Sequence, residues 1–302
     1  MDNLFEISNE VRKAIDLKKP IVALESTLIS HGLPYPDNIK VAKESINAVQ
    51  DNGSVAATIG IINGKVKIGL NEDDINILAK DNKVQKVSNH NLNLSIFKKE
   101  NAATTVASTI SIASKFAIKF FATGGIGGAH LNVEKTYDVS ADLYSLSENA
   151  NYVICSGAKS ILDLNKTYEL LETLGITRIG YKTNHMPGFW YSETNHQVDN
   201  NFEDISDISK FLKLNAKLNH NKSILIFNKV PEANAINKNK INEWINIALL
   251  KAEQDKISGK ALTPFLIKEI NNFSNNKTLK ANISLIINNA DLAGKIAKQF
   301  YS

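Results

Sequence analysis

The segment Tyr152-Val153-Ile154-Cys155-Ser156-Gly157-Ala158-Lys159-Ser160 carries the fold in miniature. Its apolar start, Tyr152 to Ile154, predicts a buried strand that runs through small residues onto a single lysine. Ile161, Leu162 and Leu164 resume an apolar pattern, so a helix is expected over 160–174. Lys159 thus falls where a strand hands over to a helix, and open α/β sheets receive their ligands at such places. An amine set among small residues and apolar walls loses hydration, which favours its neutral form as a nucleophile towards a sugar carbonyl. The residue also reads as a surface lysine at a helix start, and the segment alone leaves both readings open.

Strand and helix patterns alternate outward from this unit along the 302 residues. Pro20 to Leu24 predicts a strand ending at Glu25, then a loop to Pro36 and a helix over 38–50 that stops at Asn52-Gly53. Ala57 to Ile62 and Val66 to Leu70 flank Asn63-Gly64, a hairpin signal that makes the sheet mixed. Asn71 caps a short helix, Val84 to Val87 reads as a strand, Ala102 to Ala113 as a helix and Ala117 to Ala122 as a strand. Helices near 140–148, 201–216, 240–256, 262–273 and 281–300, with strands at 176–181 and 224–227, complete the chain. The expected fold is α/β, a layered α/β/α sandwich with a mostly parallel, mixed central sheet, in one domain over 1–302.

Composition narrows the function. The net charge is only +4, and Arg12 and Arg178 are the only arginines, which argues against nucleic-acid recognition by bidentate arginine. No apolar stretch approaches the ~20 residues of a membrane span. The start, Met1 to Glu6, lacks the basic flank and apolar core of a secretory signal, so a cytoplasmic location is expected. Cys155 is the single cysteine, and the six histidines show no paired ligand spacing. A disulfide framework, a thiolate zinc cluster and a zinc hydrolase are therefore not expected.

Other residues group by chemistry. Glu25, at a strand end among apolar neighbours, reads as a general acid with a raised pKa or as a structural carboxylate. The run Thr123-Gly124-Gly125-Ile126-Gly127-Gly128 reads as an anion-holding turn or a plain tight turn, and it matches neither a dinucleotide fingerprint nor a Walker loop. Asp138 and Asp142 are spaced for one face of a helical first turn, fit for magnesium or manganese or simply for the helix dipole. Lys86 interrupts an apolar strand end, where it neutralises a phosphate or a pyrimidine carbonyl or simply faces solvent. Thr104, Thr105, Ser108 and Thr109 open a helix as caps or phosphate ligands.

Taken in order, these blocks resemble the pseudouridine-5'-phosphate glycosidases, also called pseudouridylate synthases. The matching pieces are Val22-Ala23-Leu24-Glu25-Ser26-Thr27, Ile29-Ser30-His31-Gly32, Ala57-Thr58-Ile59, Lys86-Val87-Ser88 and Thr104 to Thr109. Ala122 to Gly128, Asp138 to Leu143, Ser156 to Leu164, Thr263-Pro264-Phe265-Leu266, Asn282-Ile283 and Asn288-Asn289-Ala290 continue the series over nearly the whole chain. The resemblance implies that Lys159 is the nucleophile forming an imine at C1' of the sugar and Glu25 the proton donor. It implies that Asp138 holds one manganese ion per subunit, largely through waters. Ser140, Ala141 and Asp142 would line the substrate, Lys86 and Val106 would contact it, and Asn282, Thr123 and His130 would stand near base or phosphate. A homotrimer acting on a small molecule, with no nucleic-acid or membrane partner, is likewise implied.

The chain departs from the family pattern at three places: Ala102 stands for a glycine, Leu131-Asn132 for Arg-Gly, and Ala56 for a proline. Loss of that arginine bears on phosphate binding. The segment 184–200, with Trp190 and Tyr191, is also atypical and reads as a lid or an oligomer contact. Two other functions stay open: a lysine-dependent aldolase or C-glycosidase for another sugar phosphate, and a non-catalytic pyrimidine or sugar-phosphate binding protein.

Overall fold

A computed structural model describes residues 4–218, 220–257 and 262–302, except the side chains of Thr263 and Pro264. The opening residues Met1 to Asn3 and those two side chains of the Thr263-Pro264-Phe265-Leu266 block therefore lie outside the described residues. In chain order the strands are β1 (Phe5–Ile7), β2 (Ile21–Leu24), β3 (Val55–Ile62), β4 (Lys65–Ile68), β5 (Gln85–Val87), β6 (Ala102–Thr104), β7 (Phe120–Ala122), β8 (Tyr152–Cys155), β9 (Thr177–Tyr181), β10 (Asn200–Phe202) and β11 (Ile224–Phe227). They form one sheet in the order β1-β4-β3-β2-β7-β8-β11-β9-β10. Every pair from β3 through β2 to β10 is parallel. The exception foreseen from Asn63-Gly64 is there: β3 and β4 are an antiparallel hairpin, and both turn residues have positive φ, +50° and +74°. The second half of β3 also pairs antiparallel with β6, which carries β5 beside it.

Strand alternation in the parallel part of the sheet makes two cores, and a third, smaller one gathers around Ile29, Ile75 and Leu78. Ala23, Phe121, Val153 and Leu225 face one layer, where they meet Ile110 of the helix Val106–Lys115 and Leu143 and Leu146 of the helix Ala141–Glu148. Their chain neighbours Val22, Phe120, Tyr152 and Ile224 face the other layer. There they meet Leu212 of the helix Ile205–Lys217 and Leu292 and Ile296 of the helix Lys277–Tyr301. The result is an α/β/α sandwich with a mostly parallel, mixed sheet. Each large side chain so buried contributes about 1.5–3 kcal/mol. Among the described residues no helix is long and apolar enough to cross a membrane.

Three local expectations change, the first at 201–216, where pairing with β9 holds Asn201 and Phe202 in β10 and the helix begins only at Ile205. Ala102 to Thr104 is a strand rather than the first turn of a helix, because β6 is held between β3 and β5; the helix begins only at Val106, after Thr105 as N-cap. The helix after β8 begins at Leu164 rather than 160. Asp163 caps it by accepting the Lys166 N–H at 3.0 Å, so residues 156–163 form a loop that carries Lys159.

Candidate active site

The chain turns from β2 to β3 on one side and from β7 to β8 on the other, so β2 and β7 bracket a switch point in the sheet. A crevice opens at the carboxyl ends of strands at such a point. Four neighbouring parallel strands each deliver a polar residue there immediately after their last member: Glu25 after β2, Thr123 after β7, Ser156 after β8 and Asn228 after β11. One asparagine gathers the last three. Asn289, fully buried, donates from Nδ2 to the Thr123 carbonyl at 2.8 Å and to Ser156 Oγ at 3.1 Å, while its Oδ1 accepts from Asn228 Nδ2 at 3.1 Å. Asn289 shares one face of the helix Lys277–Tyr301 with Asn282 and Ile286, at i, i+4 and i+7 spacing.

A cavity of about 150 Å³ fills this crevice. Glu25, Lys86, Thr123, Lys159 and Asn282 line it together with Gly124, Gly125 and an apolar wall that includes Phe189, Trp190 and Ile286. A second cavity of about 310 Å³ adjoins it and shares His31 and Asn282, but holds neither Glu25 nor Lys159; only the smaller one joins the acid and the amine.

The backbone around Lys159 is fixed from both sides. Its N–H donates to the Ile126 carbonyl at 3.1 Å, and Ala158 pairs with Ile126. Ser160 Oγ donates to the Gly188 carbonyl at 2.6 Å. Gly157, at φ +92°, lets the loop pass so close to Pro187 that a Cβ would lie 2.0 Å from its carbonyl oxygen. On the other side of the cavity, Ser26 Oγ accepts the Thr104 N–H at 2.9 Å, and Thr104 Oγ1 donates to the Ile59 carbonyl at 2.7 Å. Thr104 and Thr109 are wholly buried and bonded to one another. They set the strand end that presents Glu25 and are not placed as phosphate ligands.

Glu25 is only 7% exposed, and burial raises its pKa above the ordinary carboxylate range. The Lys159 ammonium opposes that shift most, followed by a short hydrogen bond from Thr123 Oγ1 to Glu25 Oε1. Lys86, in the middle of β5, is held below the usual lysine range by the surrounding walls and then by the charge of Lys159. The site thus couples a carboxylic acid to two cations in partly desolvated space. Burial pushes the Cys155 thiol up to about 12, which leaves it a core side chain.

The remaining predicted positions stand beside the cavity rather than in its lining. Asp142, buried at the first turn of its helix, accepts the Ala107 N–H at 2.9 Å on one oxygen and the Gly127 N–H at 2.8 Å on the other. It staples the glycine run to the start of Val106–Lys115, where Val106 is buried. The Ile126 and Ala129 N–H groups are likewise donated within the protein, so Gly124 and Gly125 are the part of the run that faces the cavity. Ser140 caps its helix and Ala141 is exposed. Asp138 is half exposed, with its carboxylate 4.0 Å from His130 Nδ1. Among the described residues no group of three or more His, Cys, Asp or Glu gathers for a metal. This donor set fits only a cation that keeps most of its waters.

Residues 184–200 supply a wall of the site. Trp190 is 2% exposed, lines the cavity and donates from Nε1 to Asn282 Oδ1 at 2.6 Å. The sequence singled out Trp190 only within an atypical segment and Asn289 only within a family block; their bonding roles were not legible, because their partners lie 92 and 166 residues away.

The family model described as indigoidine synthase A like protein matches residues 10–299. The chain is 44% identical to the pseudouridine-5'-phosphate glycosidase of Caldanaerobacter subterraneus subsp. tengcongensis, over 99% of this chain and 97% of that one. It is 45% identical to that of Staphylococcus aureus, over 98% and 97%. Among solved structures, the prealnumycin C-glycosynthase AlnA in complex with ribulose 5-phosphate superposes with a TM-score of 0.92 at 32% identity, covering 100% of this chain and 98% of that one. An indigoidine synthase A-like protein from Thermotoga maritima gives 0.90 at 31% identity, over 99% and 97%. By sequence over its full length and by fold, the chain belongs to the indigoidine synthase A-like family, among the pseudouridine-5'-phosphate glycosidases.

Proposed function

We propose that this enzyme reversibly cleaves the C-glycosidic bond of pseudouridine 5'-phosphate to uracil and ribose 5-phosphate. One observation carries the reading: Lys159 and the buried acid Glu25 line a single cavity at the switch point of the sheet, beside Lys86. Relatives named for this activity support the substrate. A C-glycosynthase neighbour solved with ribulose 5-phosphate supports a pentose phosphate in the cavity.

Uracil C5 is bonded to ribose C1', so direct departure of the base would leave a carbanion. A covalent route divides the problem. Lys159, once its ammonium has released a proton to solvent, attacks C1' through Nζ while Glu25 gives its own proton to the departing ring oxygen. The resulting secondary ammonium returns a proton to Glu25, which delivers it to uracil C5. The C1'–C5 bond then breaks as the lysine nitrogen pair forms an iminium with C1', and uracil leaves. Water adds to the iminium, Glu25 takes its proton, and collapse of the adduct frees Lys159 and ribose 5-phosphate. Thr123 and Asn282 face the base in this reading. Lys86, Val106, His130, Ser140, Ala141 and Asp142 serve the sugar phosphate, with Asp142 acting through the two amides it holds. Asp138 would hold a hydrated manganese ion, one per subunit, whose charge would offset that of the phosphate. The family resemblance supports a homotrimer in the cytoplasm.

The test is borohydride trapping with ribose 5-phosphate and manganese, followed by peptide mass mapping. A reduced pentose-phosphate adduct on Lys159 is expected, and uracil should suppress it by carrying the imine forward. No adduct, or one scattered over surface lysines, would leave a binding protein in place of the enzyme.

A further inference from the structure

An indole N–H is a donor and nothing else, so the atom it meets on an asparagine is the amide oxygen. Trp190 Nε1 lies 2.6 Å from Asn282 Oδ1. That contact fixes which end of the Asn282 amide remains for a ligand. Among the described residues the amide nitrogen donates to no protein acceptor, and the side chain lines the cavity that holds Glu25 and Lys159.

The indole is not free to turn away. Its backbone N–H reaches Ser160 Oγ at 3.3 Å, and its carbonyl accepts the Ile236 N–H at 2.8 Å. Its ring packs 5.5 Å from that of Phe189. Ser160 adjoins Lys159, so the loop that carries the nucleophile also anchors the residue that orients the amide.

We propose that Trp190 sets base selectivity: by occupying the Asn282 oxygen it turns the amide N–H groups into the cavity, so the site admits a pyrimidine that presents a carbonyl there and rejects one that presents an amino group. The inference rests on the uracil-releasing reading given above. An amino group at that position sets donor against donor in partly desolvated space. Neither then finds a partner, whereas a carbonyl closes the pair.

Calorimetric titration of the full chain, in the presence of ribose 5-phosphate, compares uracil with its 4-amino and 2-amino counterparts, cytosine and isocytosine. Uracil is expected to bind about tenfold to a hundredfold more tightly than the analogue whose amino group meets Asn282. Trp190→Phe keeps the bulk and removes only the donor, which frees the amide to flip and shrinks the contrast towards parity. Asn282→Asp keeps an acceptor for the indole and puts a second acceptor into the cavity, so the preference reverses. A folded Trp190→Phe with the wild-type contrast overturns the inference. If that variant does not fold, an Asn282→Asp protein that still prefers uracil does so instead. Cleavage of pseudouridine 5'-phosphate is assayed separately. Absent cleavage with an intact contrast removes the activity and leaves the selectivity, and cleavage with no contrast does the opposite.

Discussion

Replacing Thr123 by valine removes one hydroxyl from the cavity and little else. The Thr123 backbone is held independently, by the Ile154 carbonyl at 3.0 Å and by Asn289 Nδ2 at 2.8 Å, so the chain stays where it is. What is lost is the hydrogen bond to Glu25 Oε1, which favours the charged carboxylate. A hydrogen bond to a charged group is worth about 1.5–3 kcal/mol. At about 1.4 kcal/mol per decade, its loss displaces the Glu25 protonation equilibrium by about one to two pH units. Desolvation already raises Glu25, and removing the donor raises it further, so the acid keeps its proton to higher pH. In the proposed mechanism Glu25 opens the sugar in its protonated form, so the alkaline limb of kcat/KM moves upward. Uracil release followed by absorbance across the neutral and alkaline range measures that limb, whatever happens to the height of the profile. A limb that stays put or moves down refutes the assignment of Glu25 as the acid tuned by Thr123.

Three further outcomes follow from the same geometry. Burial raises Glu25, so the native chain holds a proton that the unfolded chain has already released; that stability is complete below the ordinary carboxylate range and fades as pH rises through the native value. Glu25→Gln should therefore abolish turnover yet raise the melting temperature by roughly 1–3 °C at alkaline pH; a wild-type melting curve there would contradict the raised acid. Asp142→Ala orphans the Ala107 and Gly127 N–H groups and should cost about 2–5 kcal/mol in urea unfolding, and an unshifted midpoint would show that those amides find other partners. Gly157→Ala drives a methyl into the Pro187 carbonyl at φ +92°. It should cost about 2–5 kcal/mol and lower the yield of trapped imine at Lys159; full yield would mean that the loop position is irrelevant to the nucleophile.

Features with a local cause could be read from the sequence. Asn63-Gly64 specified the hairpin because both turn residues need positive φ, and Tyr152 to Cys155 declared itself by an unbroken apolar run. Glu25 and Lys159 were legible because a charged side chain at the end of a buried strand is unusual. Ala102 to Thr104 was not, since a small apolar run before a helix fits either state until β3 and β5 appear on its two sides. Asp142 shows a subtler limit. Its spacing from Asp138 pointed to a shared cation, whereas its oxygens in fact hold two backbone amides that lie 35 and 15 residues away. Trp190 lay in the stretch least like the family, and only the distance to Asn282 gives it a role.

The helix Lys277–Tyr301 brings Asn282 and Ile286 to the cavity and Asn289 to the strand ends beside it, all on one face. During synthesis the acid at position 25 and the amine at position 159 emerge long before that helix exists. A nascent chain of that length owns both reactive groups but no wall to shut out water and no clamp across the strand ends, so any imine it formed would hydrolyse at once. Catalytic competence therefore waits on the docking of the helix Lys277–Tyr301 across the strand ends.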